Sequence, residues 1–163
     1  MALLSPDKKR GIDPNTGEPF YWRGWFDGIR ADDGMVLLRN SMGPQMSFPG
    51  RIVSQVVGRK APPFKTVPRY VDLYLFSDDE GGYVAQRRWI SEAHGEDPCK
   101  YTLITADTLE QLEDRLMNYS PAEDATGLYD ESEPGGKRRN DRMKAWMRTV
   151  YAERVRALIN AAA

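Results

Sequence analysis

The sequence predicts an α+β domain: an antiparallel sheet of four to six strands over residues 20–105, packed by a helix at 107–118, with a long amphipathic helix at about 138–160. Three observations carry this. Short runs rich in β-branched and aromatic residues recur through the first two thirds of the chain, each bounded by Gly, Pro or Asp. Two of them, 69–76 and 83–90, flank "SDDEGG", a polar turn ending in two glycines, which reads as a hairpin loop. Beyond residue 105 the apolar spacing changes from strand alternation to the i, i+3, i+7 pattern of a helix.

Residues 1–19 read as an irregular arm, because Pro14, Asn15, Gly17 and Pro19 are turn formers without apolar periodicity. Asp13, Asn15 and Gly17 imitate the opening of a calcium loop, but Gly24 stands where the bidentate Glu would be, which excludes calcium. The stretch "FYWRGWF" follows at 20–26. As a strand it sends Phe20, Trp22 and Phe26 to one face and Tyr21, Arg23 and Trp25 to the other, so one set is expected in the core and the other on display. Trp, Tyr and Arg are the residues that dominate interface hot spots.

Strands are expected at 35–39, 51–57, 69–76, 83–90 and 100–105. In the hairpin, Val71, Leu73 and Leu75 share one face, while Tyr70, Asp72, Tyr74 and Phe76 share the other. Bulk on both faces predicts a central hairpin covered on both sides. At 107–118, Asp107 is the expected N-cap, Glu110 its capping-box partner, and Leu109, Leu112 and Leu116 the apolar stripe, with Pro121 ending the element. Residues 119–136 combine carboxylates, Pro and Gly without periodicity and read as a linker or functional loop. The last helix gathers Met143, Trp146, Met147, Val150, Tyr151 and Leu158 on one face. Arg154 falls inside that stripe, where pairing with a carboxylate of the acidic middle is expected, the alternative being a helix that is not fully docked and uses the stripe for self-association.

One domain is expected for 163 residues, and one cysteine allows no internal disulfide and suits a reducing compartment. No apolar run is long enough for a membrane span or a signal-peptide core, so the expected location is cytoplasmic. The net charge of −1 hides a segregation. Residues 1–76 hold 11 Lys/Arg against 7 Asp/Glu, residues 77–136 hold 4 against 15, and residues 137–163 hold 8 against 2. Such asymmetry points to partners, unless the basic tail folds back on the acidic middle.

No catalytic residue is assigned. His94 and Cys99, the one histidine and the one cysteine, share a loop, but their spacing compels neither a thiolate–imidazole pair nor a structural zinc site. No cofactor or metal is expected, and no glycine pattern makes a phosphate loop. The expectation is a non-enzymatic binding protein, an inhibitor or modulator of a nucleic-acid-handling machine. Its contacts would be Asp78, Asp79, Glu80, Asp130, Glu131 and Glu133 with Tyr21, Arg23 and Trp25, set against a partner with a basic surface. Anti-restriction and anti-CRISPR factors share this build, an analogy of size and charge alone. The alternative is nucleic-acid binding through Arg138, Arg139, Arg142, Lys144 and Arg148, against which stands a pI of about 5.9.

Overall fold

A computed structural model describes the backbone at residues 10–12, 19–21, 29–32 and 34–163, with side chains from residue 34 onward. Eight strands, β1 (Arg10–Ile12), β2 (Pro19–Tyr21), β3 (Ile29–Asp32), β4 (Met35–Leu38), β5 (Met46–Val56), β6 (Arg69–Asp78), β7 (Tyr83–Ser91) and β8 (Cys99–Ala106), form one sheet in the order β2-β1-β3-β4-β5-β6-β7-β8. Every pairing is antiparallel. Two helices complete the α+β fold, α1 (Leu109–Met117) and α2 (Gly136–Ala162). The five strands predicted from residue 35 onward are β4 to β8. The expected irregular arm is corrected at two points, because β1 and the start of β2 lie within residues 1–19. These are three-residue strands, held by ladder partners rather than by any pattern of their own. Pro19 is the first residue of the edge strand β2, a position where strands tolerate proline.

The long strand β5 turns the sheet. Met46 to Pro49 pair with β4, and Gly50 to Val56 pair with β6, with a bulge between Ile52 and Ser54. At the changeover the backbone of Gly50 lies so close to β6 that a Cβ would sit 2.2 Å from Ser77 O. The curl brings the segment after β4 onto β8: Ser41 N donates to Tyr101 O at 2.8 Å, Tyr101 N to Ser41 Oγ at 2.9 Å, and Gln86 Nε2 to Arg39 O at 3.1 Å. Val36, Leu38, Phe48, Tyr74, Phe76 and Val84 fill the inside of that curl, with Phe48 and Phe76 edge to face.

The opposite face carries the larger core. Val71, Leu73, Leu75, Ala85 and Trp89 from the sheet meet Leu112 and Leu116 of α1 and Met143, Met147, Tyr151, Val155, Leu158 and Ile159 of α2. The β6–β7 hairpin is therefore central and covered on both sides, as its alternation required. The cap of α1 shifts by one residue from the expected Asp107: Thr108 Oγ1 accepts from Gln111 N, and Gln111 Oε1 accepts from Asp107 N. The capping role expected of Glu110 falls to Gln111 for the same reason. The buried stripe of α2 also takes in Asn140 and Arg154, two polar side chains among the apolar ones.

Gly50→Ala would force Cβ against the β6 carbonyl, and the strand corner would have to open. A loss of about 2 kcal/mol is expected, read as a lower urea midpoint at unchanged slope.

Candidate interaction surfaces

Two buried ion-pair networks position the surface segments. β5 ends at Val56, paired to Leu73, so residues 69–72 of β6 have no strand on that side. Arg154 of α2 occupies the gap: its Nη1 donates to Val71 O at 2.8 Å, and its Nη2 to Gly58 O. Asp72 then serves three donors, Gly58 N at 2.9 Å, Arg88 Nη2 at 2.8 Å and Arg154 Nη1 at 3.5 Å. The mid-stripe arginine is paired with a carboxylate, as expected, but that carboxylate belongs to the hairpin strand and not to the acidic middle. Burial depresses the Arg154 pKa, and Asp72 opposes the shift.

The second network begins one turn of strand earlier. Arg69 grips Glu96 through Nε at 2.8 Å and Nη2 at 2.8 Å, and its Nη2 also donates to Gly127 O at 2.7 Å. Glu96 further accepts from Ser91 Oγ at 2.7 Å and Gly127 N at 2.7 Å. Burial opposes its ionisation, but the bonds from Arg69, Ser91 and Gly127 prevail and hold its carboxyl below the usual range. The loop that carries His94 is only partly solvated: His94 is exposed, but Glu96 is 9% exposed and fully bonded. Asn140 adds a third tie, since it accepts from Tyr129 N and donates to Tyr129 O, both at 2.9 Å. Residues 119–136 are therefore no free linker. They contain a short 3-10 turn, Pro121–Glu123, and bury Pro121 and Ala125. Asp124 anchors the turn on Lys100 and on the Tyr119 hydroxyl, and burial with that carboxylate alongside raises the Tyr119 pKa.

The predicted contact residues fall in separate places. Asp79 and Glu80 are exposed at the tip of the β6–β7 hairpin, whereas Asp78 Oδ1 is engaged by Glu80 N within the turn. The tip packs against the start of α1: a Cβ on Gly82 would meet Ala106 O at 2.8 Å and Asp107 Cα at 3.5 Å. Asp79 and Glu80 of this turn, and Asp107, Glu110 and Asp114 of the segment it approaches and the helix that follows, are all exposed. No Lys, Arg or His among the described residues pairs with any of them. Asp130, Glu131 and Glu133 lie near the other end of β6, beyond Gly127 and Arg69. There Asp130 Oδ1 accepts from Ser132 N and Oγ, and Glu131 Oε1 from Asn140 Nδ2. Arg23 and Trp25, with Trp22 and Phe26, lie outside the described residues, and Tyr21 is described only as backbone paired to Arg10.

The basic helix does not fold back on the acidic middle through ion pairs. Among the described residues its cations pair with Asp141 and Asp72, neither in the 77–136 block. At about 100° per residue, Arg139 and Arg142 share the flank of Trp146, Lys144 and Arg148 take the other flank, and Arg138 points directly away from the buried stripe. Arg142 lies over the Phe64 ring at 4.8 Å and Arg139 over the Tyr129 ring at 4.8 Å. Phe64 in turn meets Trp146 edge to face at 6.1 Å.

Among the described residues no three His, Cys, Asp or Glu side chains cluster as metal ligands, and no helix is long and apolar enough to cross a membrane. No family model matches the chain, and comparison with characterised proteins and with solved structures returns no similar one.

Arg69→Met leaves the Glu96 charge buried and unmatched, and a loss of about 3–5 kcal/mol is expected. Adding Glu96→Gln should restore a large share, which a double-mutant cycle in urea measures. In the parent, a carboxyl held low when folded contributes fully above its ordinary value of 4.5. That contribution is lost as pH falls through the lower folded value. Glu96→Gln should flatten this acid limb.

Proposed function

We propose that the protein is a non-enzymatic binding protein that uses its acidic end to occupy the basic surface of a nucleic-acid-handling protein. One observation supports the reading: the hairpin turn lies against Ala106 and Asp107 just before α1, and Asp79, Glu80, Asp107, Glu110 and Asp114 on these two segments are exposed, with no ion pair to a cation of the described residues. Lys and Arg side chains built to neutralise phosphates respond to negative charge and its spacing, so a carboxylate face of this kind competes for the same groove. A rigid mount suits that task. The tip extends from two central strands whose side chains are buried on both faces, so little side-chain or loop ordering opposes association.

The reading narrows the earlier contact set. Asp78 is occupied within its turn, Asp130 and Glu131 are bonded locally, and the exposed Glu133 lies beside them, apart from the tip, so the reading rests on the tip and α1. A nucleic-acid-binding role for α2 has weaker support, because its five basic positions are divided between two flanks and the outer surface of the helix.

A tagged pull-down from cell lysate, with and without nuclease, tests the assignment. A protein recovered after nuclease treatment and released by moderate salt is the expected result. Asp79→Lys, Glu80→Lys and Glu110→Lys combined should weaken its binding about a hundredfold, while circular dichroism stays unchanged. Recovery that depends on nucleic acid, or survives the triple change, would reject the acidic-end reading.

A further inference from the structure

After Val56 the chain runs alongside α2 as an irregular segment, residues 57–68, from Glu153 past Trp146 to Met143, before entering β6. Between that segment and the helix lies a groove of about 260 Å³, with Phe64, Val67, Met143, Trp146 and Met147 among its apolar lining. That volume takes one large side chain, and thioethers adapt to the shape of what enters. The polar part of the lining is of one sign. Arg59, Lys60, Lys65 and Arg69 line the groove, and no carboxylate does. Arg59, Lys60 and Arg69 are matched by Glu92, Glu153 and Glu96 from outside the groove, whereas Lys65 has no carboxylate partner among the described residues. Arg142 adds a further cation beside it, held over Phe64 by the ring.

We propose that this groove docks an extended acidic segment of a protein partner, with one bulky apolar side chain over Met143 and Trp146 and flanking carboxylates on Lys65 and Arg142. Charge complementarity selects an acidic occupant, and the shape selects a peptide. Single-stranded nucleic acid needs open ring faces for its bases, but Arg142 covers a face of Phe64 and Arg139 a face of Tyr129. A hydrophobic anchor in a pocket with charges at its rim is instead the usual anatomy of a protein interface. The surface is independent of the acidic end, which lies at the far end of β6.

The test uses the full chain and a labelled synthetic peptide, Asp-Glu-Phe-Asp-Glu, followed by fluorescence anisotropy and by the indole N–H resonance of Trp146, assigned with Trp146→Phe. Saturable binding that shifts this resonance is expected, with loss when the peptide Phe becomes Ala. Lys65→Glu with Arg142→Glu, two surface changes, should weaken the peptide about tenfold or more. The same variant should take up Lys-Lys-Phe-Lys-Lys, which shows that it remains folded and that charge governs the choice. Asp79→Lys should leave the peptide affinity unchanged. Equal binding of acidic and basic peptides by the parent would overturn the proposal. So would an unmoved Trp146 resonance, displacement of the peptide by a single-stranded oligonucleotide, or concentration-dependent self-association that blocks the groove.

Discussion

β5 and β6 part company at Val56, and most of the surface architecture depends on how that break is closed. An exposed strand edge would leave the polar backbone of residues 69–72 unsatisfied beneath a packed helix, at a cost of a few kcal/mol for each buried orphan. The chain closes the gap with side chains in place of a strand. Arg154 reaches down from α2 to Val71 O and Gly58 O, and Asp72 takes Gly58 N with the guanidinium groups of Arg88 and Arg154. Because these charges have both partners and most of their donors satisfied, they lock the register of α2 on the sheet. Removal of one member would leave the others charged and dry. The segment 57–68 is fixed at its start by the same contacts, and so lies along the helix and makes a groove.

A second constraint fixes the far side of that groove. Arg69 and Glu96 join the entry of β6 to the β7–β8 connection, and both bond Gly127. Asn140 clamps Tyr129 from the helix. The acidic segment 119–136 therefore owes its course to tertiary bonds from residues outside it, Arg69, Glu96, Lys100 and Asn140 among them. A chain with Pro, Gly and carboxylates in place of apolar periodicity has little local preference, so its order has to come from such contacts.

This explains which features were legible beforehand. Strands β4 to β8 and the two faces of the hairpin follow from alternation, since Val71, Leu73 and Leu75 can only share a face. α1 follows from Leu109, Leu112 and Leu116, although the cap lies one residue later than Asp107 suggested. The polar network was partly visible. Asp72 inside "RYVDLYLF" and Arg88 inside "YVAQRRWI" are charges in strands predicted to be covered on both faces, and antiparallel pairing sets them directly opposite. Charges so placed must be matched. Glu96 and Asn140 gave no such signal. Each sits in an ordinary polar context, and its partner is distant in sequence and fixed only by the finished fold. The same holds for the acidic end, where the turn at 78–82 and the helix at 109 are joined by the β7–β8 ladder.

The charge pattern survives folding, and distance decides what it can do. The hairpin tip and the groove stand at opposite ends of β6, separated by about 30 Å of strand at 3.3 Å per residue. At physiological salt a charge is screened beyond about 8 Å. The carboxylates at one end and the cations at the other therefore act on their surroundings as separate fields, in spite of a net charge of only −1. Had α2 paired with the acidic middle, both fields would have collapsed into internal ion pairs. The network at Asp72 commits the central arginine of α2 to the hairpin strand, and Lys137 pairs within the helix to Asp141, so among the described residues the helix makes no ion pair with the 77–136 block. The molecule keeps two separate surfaces on one sheet: exposed carboxylates at the hairpin tip, and at the other end of β6 an apolar groove lined by cations.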